Sequence, residues 1–315
     1  MISVSGQGPA ASAHVGCRLL AIVSVVAWAA PLTGQTNGPA TGGSSSATTT
    51  PVQETTDANP GAMTLSASVD LMSRYMFRGI RQQSTGIAIW PAADISVAAY
   101  SGHGALKSVG ISLGSWNSLH TGDTGTAGPS AKFWYEGDFY TTLGLGFGGG
   151  VSLAMTYTAY TSPNNSFSTV KELMFKLAVD DAPHLHKAAL KPYVIVAREL
   201  DTAPGFGQAD GGIEAGTYLE VGMVPAYSRR KVSFAVPVKL GLSLRNYYEF
   251  DGIDHTFGYF SVGGIVTVPL GTPAKLGSWN LHCGAEFQRL GVATRAFNGG
   301  DGSQVIGSIG IGFGY

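Results

Sequence analysis

From about residue 62 onward, apolar and polar side chains alternate with a period of two, which is the pattern of strands with two unlike faces. The cleanest run is Val232 to Arg245, where Val232, Phe234, Val236, Val238, Leu240, Leu242 and Leu244 interleave with Ser233, Lys239, Gly241, Ser243 and Arg245. Met63 to Arg78 sets Met63, Leu65, Ala67, Val69, Leu71, Tyr75 and Phe77 against Thr64, Ser66, Ser68, Asp70, Arg74 and Arg78. Gln304 to Tyr315 sets Val305, Gly307, Ile309, Ile311, Phe313 and Tyr315 against Gln304, Ser308, Gly310, Gly312 and Gly314. Further runs lie at Ile87 to Tyr100, where Pro91 predicts a bulge, and at Val109, Phe133, Val151, Leu173, Thr217, Phe260 and Trp279. Tyr193 to Val196 is continuously apolar and shows no face. The pattern predicts about twelve strands, with mostly longer polar links after odd strands and shorter ones after even strands.

A soluble sandwich also alternates, but its outer face carries Lys, Glu and Arg in numbers. Here the polar face is mostly Gly, Ser, Thr and Ala, which suits a narrow lumen rather than bulk water. Aromatic residues gather near the strand ends. Tyr75, Phe77, Trp116, Phe133, Trp134, Tyr157, Tyr247, Tyr248 and Phe257 predict one interfacial girdle, and Tyr100, Phe147, Trp279, Phe313 and Tyr315 the other. The expected fold is all-β: a transmembrane antiparallel up-and-down β-barrel. Its last strand, ending in Phe313 and Tyr315, pairs back to the first and resembles the assembly signal of bacterial outer-membrane proteins, which implies the barrel-assembly machinery as a partner.

Composition agrees with that picture. Only 12% of the 315 residues are charged while 45 are glycine, and a soluble domain carries about twice that charged fraction. A net charge of -1 gives no electrostatic case for nucleic acid. A polar start ending at Arg18, the apolar run Leu19 to Ala30 and small residues at Ala27, Ala29 and Gly34 predict a signal peptide over 1–34, cut after about 29–34. The segment 35–61, rich in Thr, Ser, Gly and Pro, is expected to be a disordered tail, with the barrel over 62–315. No run reaches the roughly 20 apolar residues of a membrane helix. Removal of Cys17 with the signal leaves Cys283 as the mature chain's one thiol.

Ser73-Arg74-Tyr75-Met76-Phe77-Arg78-Gly79-Ile80-Arg81-Gln82 resembles the opening signature of the TorF-type porin family, roughly Ser-x-Tyr-x-Phe-Arg-Gly-Ile-x-Gln, and Glu136-x-Asp138-x-Tyr140 is also similar to that family's pattern. Arg74 departs from the acidic or amide residue more usual there. The resemblance implies an outer-membrane channel of unassigned substrate and supplies no catalytic residues.

Other motifs weigh less. Gly144-x-Gly146-x-x-Gly149 leads into a strand where a dinucleotide fingerprint needs a helix, and Gly110-x-Ser112-x-Gly114 lies mid-strand, without the turn of a nucleophile elbow. His184 and His186 lack a third metal ligand. His282 with Asn280 invites comparison with a membrane-embedded hydrolase, but no serine pairs with them by sequence. No enzyme, cofactor or metal is therefore expected. The charges opposite the apolar faces are the candidate pore-lining residues: Arg74, Arg78, Glu136, Asp138, Glu172, Lys176, Glu220, Lys239, Arg245 and Glu286. Charge facing lipid is costly, so these should point inward, as a cross-barrel ion-pair network, a permeation lining, or both. The expected function is passive diffusion of small polar solutes or ions across the bacterial outer membrane, with outer-membrane lipid around the wall. The alternatives are a non-conducting barrel acting through its loops as a structural, adhesin or receptor protein, and a barrel lipid hydrolase.

Overall fold

A computed structural model describes residues 62–83, 85–125, 128–200, 203 and 205–315. The expected signal peptide and tail fall outside the described residues. Twelve antiparallel strands close into a barrel. In chain order they are β1 (Met63–Met72), β2 (Ala88–Ser101), β3 (Leu106–His120), β4 (Trp134–Phe147), β5 (Val151–Thr161) and β6 (Val170–Val179). Then come β7 (Pro192–Glu199), β8 (Thr217–Met223), β9 (Val238–Arg245), β10 (Phe257–Leu270), β11 (Ser278–Leu290) and β12 (Ser303–Gly314). Each pairs with the next, and β12 closes on β1 from Ser66 opposite Gly314 to Met72 opposite Ser308. Beyond that pairing, Leu65 and Tyr315 exchange both backbone hydrogen bonds. Closure leaves the ladder without a long free edge, which is what lets strands cross lipid at all.

The two-residue period puts the apolar side chains outside. Leu113, Phe139 and Val305 are each more than 60% exposed on the outer wall, among many large apolar residues there. Inside, the β1 face is Ser66, Ser68, Asp70 and Met72, and that of β5 is Ala154, Thr156, Thr158 and Tyr160, all buried. The strand that showed no face in sequence, β7, turns Tyr193, Ile195, Ala197 and Glu199 inward. Glycines on this inner face make room for tyrosines. A Cβ on Gly241 would lie 2.3 Å from the Tyr259 ring, and one on Gly258 would lie 2.0 Å from the Tyr248 ring.

Several expectations are corrected. The first strand stops at Met72 rather than running to Arg78. Tyr75 and Phe77 are not girdle residues: the chain turns inward after β1 and both are buried in the lumen. Trp116, Tyr247 and Tyr248, also expected in the girdle, are buried inside. A bulge at Ser118/Leu119 lets Tyr135 turn inward while Trp134 stays outside. Across Pro91 the register holds, from Ile89 opposite Leu119 to Ala92 opposite Trp116, and the bulge falls instead at Ala98/Tyr100. The run Val232 to Arg245 is split by Pro237, which has no amide for the ladder. Its lower part, Val232–Ala235, forms a short hairpin with Ala226–Arg229, set off from β8 by Pro225.

Candidate functional site: the closed lumen

Between β1 and β2 the chain forms a hairpin of its own, Met76–Phe77 against Ile80–Arg81, inside the end of the barrel away from the Leu65–Tyr315 pair. Its turn places Arg78 at φ 44° and Gly79 at φ 83°, the left-handed pair that a tight two-residue hairpin turn requires. Gly79 is doubly constrained, because a Cβ there would lie 3.0 Å from Tyr259 Cβ and 3.2 Å from Thr294 Cγ2. The helix α1 (Val292–Phe297) follows β11, and Asn298 just beyond it clamps the hairpin. The Asn298 amide donates to the Gly79 carbonyl at 2.7 Å and its oxygen accepts from the Arg81 N–H at 2.9 Å.

Arg78 reaches the opposite wall. Its two terminal nitrogens donate to the two oxygens of Glu172 on β6, at 2.7 and 2.8 Å, and one also donates to the Tyr247 hydroxyl at 2.5 Å. The guanidinium lies 4.2 Å from the Tyr218 ring centre, and the Tyr248 hydroxyl donates to the Arg78 carbonyl at 2.9 Å. A bidentate pair stacked on an aromatic face is the strong form of this contact. It has to be, since both partners are withdrawn from water.

The other candidates fall into four groups. Glu220 accepts from Tyr193, Tyr218 and Tyr259 at 2.6–2.8 Å, with Lys176 over the Tyr193 ring. Lys239 pairs with Glu286 at 3.1 Å. Glu136 and Asp138 point inward side by side on β4, and Tyr75 donates to Glu136 at 2.9 Å. Arg74 and Arg245 are exposed at the rim, with Arg74 donating to Gln304. The structure thus joins Arg78 to Glu172, Lys239 to Glu286 and Lys176 to the Glu220 cluster, and leaves the two rim arginines apart.

Sequence reasoning missed the tyrosines that do most of this hydrogen bonding. Tyr160, Tyr218 and Tyr259 hold positions whose parity is that of the inner face, which was the available signal, whereas Tyr193 lies in a run whose sequence shows no face. The same reasoning also passed over Asp70, which receives His282 Nε2 at 2.6 Å while His282 Nδ1 meets Asn280 at 3.0 Å. This group borders a cavity of about 50 Å³, lined also by Arg74, Glu286 and Gln288. Among the described residues no group of three or more His, Cys, Asp or Glu is arranged to hold a metal.

The geometry defines a membrane-type β-barrel with an apolar wall and a lumen occupied at one end by its own chain. No family model and no curated protein matches this chain. Among solved structures, it is similar to the translocator domain of the autotransporter NalP from Neisseria meningitidis, at 13% identity over 82% of this chain and 90% of that one, TM-score 0.38. It is also similar to the NanC porin (12% identity, 78% and 98% covered, TM-score 0.40) and to outer membrane phospholipase A from Escherichia coli (12%, 81% and 93%, TM-score 0.40). These likenesses are too loose to carry any statement about activity.

Proposed function

We propose that the chain is a bacterial outer-membrane channel for small polar solutes or ions, held shut in this conformation by the Arg78 hairpin. The supporting observation is that, among the described strands, the hairpin's strands pair only with each other. The hairpin can therefore leave the lumen without breaking one rung of the barrel ladder, whereas a strand of the wall could not. Its polar anchors are the Arg78–Glu172 pair, hydroxyl contacts and the Asn298 clamp, and release would also expose Tyr75, Met76, Phe77 and Ile80, now buried against the lumen aromatics, so opening is expected to be rare and brief. Small residues such as Ser66, Ser68, Ser112, Thr142 and Ser261 line the inner wall along the barrel, suited to a wet path once the hairpin moves. In this reading both termini face the periplasm, the outer wall meets lipid, and the strand ending in Phe313 and Tyr315 engages the assembly machinery.

A non-conducting barrel is the second reading, favoured by the packing of Trp90, Trp116, Tyr218, Tyr247 and Tyr248, all nearly fully buried. Single-channel recording in a planar bilayer separates the two. The wild type should show small or brief openings, and a variant with residues 74–82 replaced by a short Gly/Ser linker should conduct steadily. A linker variant that runs as a folded barrel yet passes no current would remove the channel reading and leave the closed one.

A further inference from the structure

Among the described residues most buried acids of this barrel have a cation or several donors, Asp94 keeps one oxygen unpartnered, and one place holds two carboxyls with three such oxygens. Glu172 has Arg78, Glu286 has Lys239, Asp70 has His282 and Glu220 has three tyrosine hydroxyls. Glu199 accepts the amides of Ala209 and Gly216, and Asp94 accepts from Ser96. Glu136 and Asp138 differ. They are 0% and 1% exposed, stand two apart on the inner face of β4 with their carboxyls beside each other and the Thr161 N–H near Asp138, and receive one well-formed hydrogen bond, from Tyr75, among their four oxygens. Glu136 Oε1 and both Asp138 oxygens are buried without a hydrogen-bond partner. A buried pair of carboxyls without countercharge is among the costliest arrangements a fold can hold.

A second observation lies beside them. On the adjacent strand β5, Tyr160 faces Asp138 and Thr158 faces Tyr140, so Thr158 is the diagonal neighbour of Asp138 on the same inner face. Its hydroxyl too is buried with no partner, at 1% exposure. Trp116, directly across from Asp138 on β3, also leaves its indole N–H unpartnered. One such donor can satisfy one oxygen but supplies no charge.

We propose that Glu136 and Asp138 form a binding site for one small hard divalent cation of the calcium or magnesium class, with the hydroxyls of Thr158 and Tyr75 beside it. Two carboxylates match a charge of two, and an all-oxygen set suits a hard ion. With oxygen donors and no thiolate or imidazole in the set, the site favours a hard ion over a soft transition metal. The proposal does not depend on whether the lumen conducts. Because Tyr75 belongs to the hairpin segment, the ion would sit directly beneath it and tie its base to β4.

Terbium is the probe, since it enters oxygen-lined calcium sites and emits when a nearby Trp or Tyr is excited. Here Trp116 faces Asp138, and Tyr75 bonds Glu136. The full barrel is refolded in detergent with EDTA, then again with terbium, and tryptophan-excited emission is read with calcium as competitor. The expected result is one saturable site per chain, displaced by calcium, and weakened at least about tenfold in Glu136→Gln/Asp138→Asn, since even outer partners of a metal site are worth about 10–100-fold. If the double variant fails to run as a folded barrel, Asp138→Asn and Thr158→Val are read singly for the same loss. Emission unchanged in these variants would overturn the site by placing the ion elsewhere. Absence of both emission and any calcium effect on urea unfolding of the folded wild type would overturn it in favour of a carboxyl pair that shares a proton.

Discussion

Arg78 shows how one side chain ties a hairpin to the far wall of a barrel. Its charge is cancelled by Glu172, and its face lies on Tyr218. Glu172→Gln keeps the shape but leaves a buried guanidinium with no countercharge, a change that costs about 3–5 kcal/mol. The expected outcome is a lower urea midpoint of the refolded barrel, with much of the loss recovered in Arg78→Met/Glu172→Gln. A cost under about 1 kcal/mol for the single variant would mean the pair does not hold the hairpin. That Glu172 points inward was legible from parity, because it sits opposite an apolar face of its strand, whereas Arg78 points inward only because the hairpin folds back into the lumen. The tyrosine partners of the two were not legible, because a tyrosine near a strand end reads the same whether it lies in a lipid interface or turns back over the lumen. Only the chain's path after Met72 distinguishes the two for Tyr75, and loop packing does so for Tyr247 and Tyr248.

At the scale of elements, the wall was readable and its interruptions were not. β1, β5, β6 and β12 follow the alternation in sequence, because lipid on one side and lumen on the other impose it at every residue. The hairpin Met76–Arg81 was hidden because Tyr75, Phe77 and Arg78 continue the alternation of β1 by accident, and the positive-φ pair at Arg78 and Gly79 carries only one glycine as its signal. Two outer loops brace the hairpin from above. The Glu249 N–H donates to Asp210 at 3.0 Å, and the Asn246 side chain donates to Glu214, joining the segment 205–216 to the segment that carries Tyr247 and Tyr248. Burial pushes the Asp210 carboxyl up to about 6, although the amides of Gly212 and Glu249 pull the other way. Burial, then Glu214 and Asp254, also raises Glu249. A carboxyl raised on folding favours the folded loops when protonated. Its contribution is therefore complete below its ordinary value of 3.8 and is lost as pH rises through about 6. Nicking of these loops by protease, normalised to an unfolded substrate, should quicken as pH rises past 6, and Asp210→Asn should flatten that dependence. A wild-type profile that is already flat would count against the brace.

For the whole molecule, the twelve-strand closure and the apolar wall make the membrane the only solvent that suits the outside. The mature protein should fractionate with the outer membrane and migrate faster in a detergent gel unheated than boiled. Recovery as a soluble periplasmic protein would contradict this reading of the wall. The architecture was legible because a closed barrel needs the same rule in every strand. Whether the lumen is open was not, because that depends on one short segment and on how side chains from opposite walls meet.

The proline pair at Pro225 and Pro237 leaves one flaw in that closure. Below it, Ala226–Arg229 pairs with Val232–Ala235 on one side and, among the described strands, with nothing on the other. Such a rim offers unspent N–H and C=O groups to any passing extended chain and is where a sheet protein would start to polymerise. Its tip is Arg229-Arg230-Lys231, three like charges in a chain otherwise poor in them. A second copy brought edge to edge would bring the same three cations with it, so the one place where this sheet could grow repels its own kind.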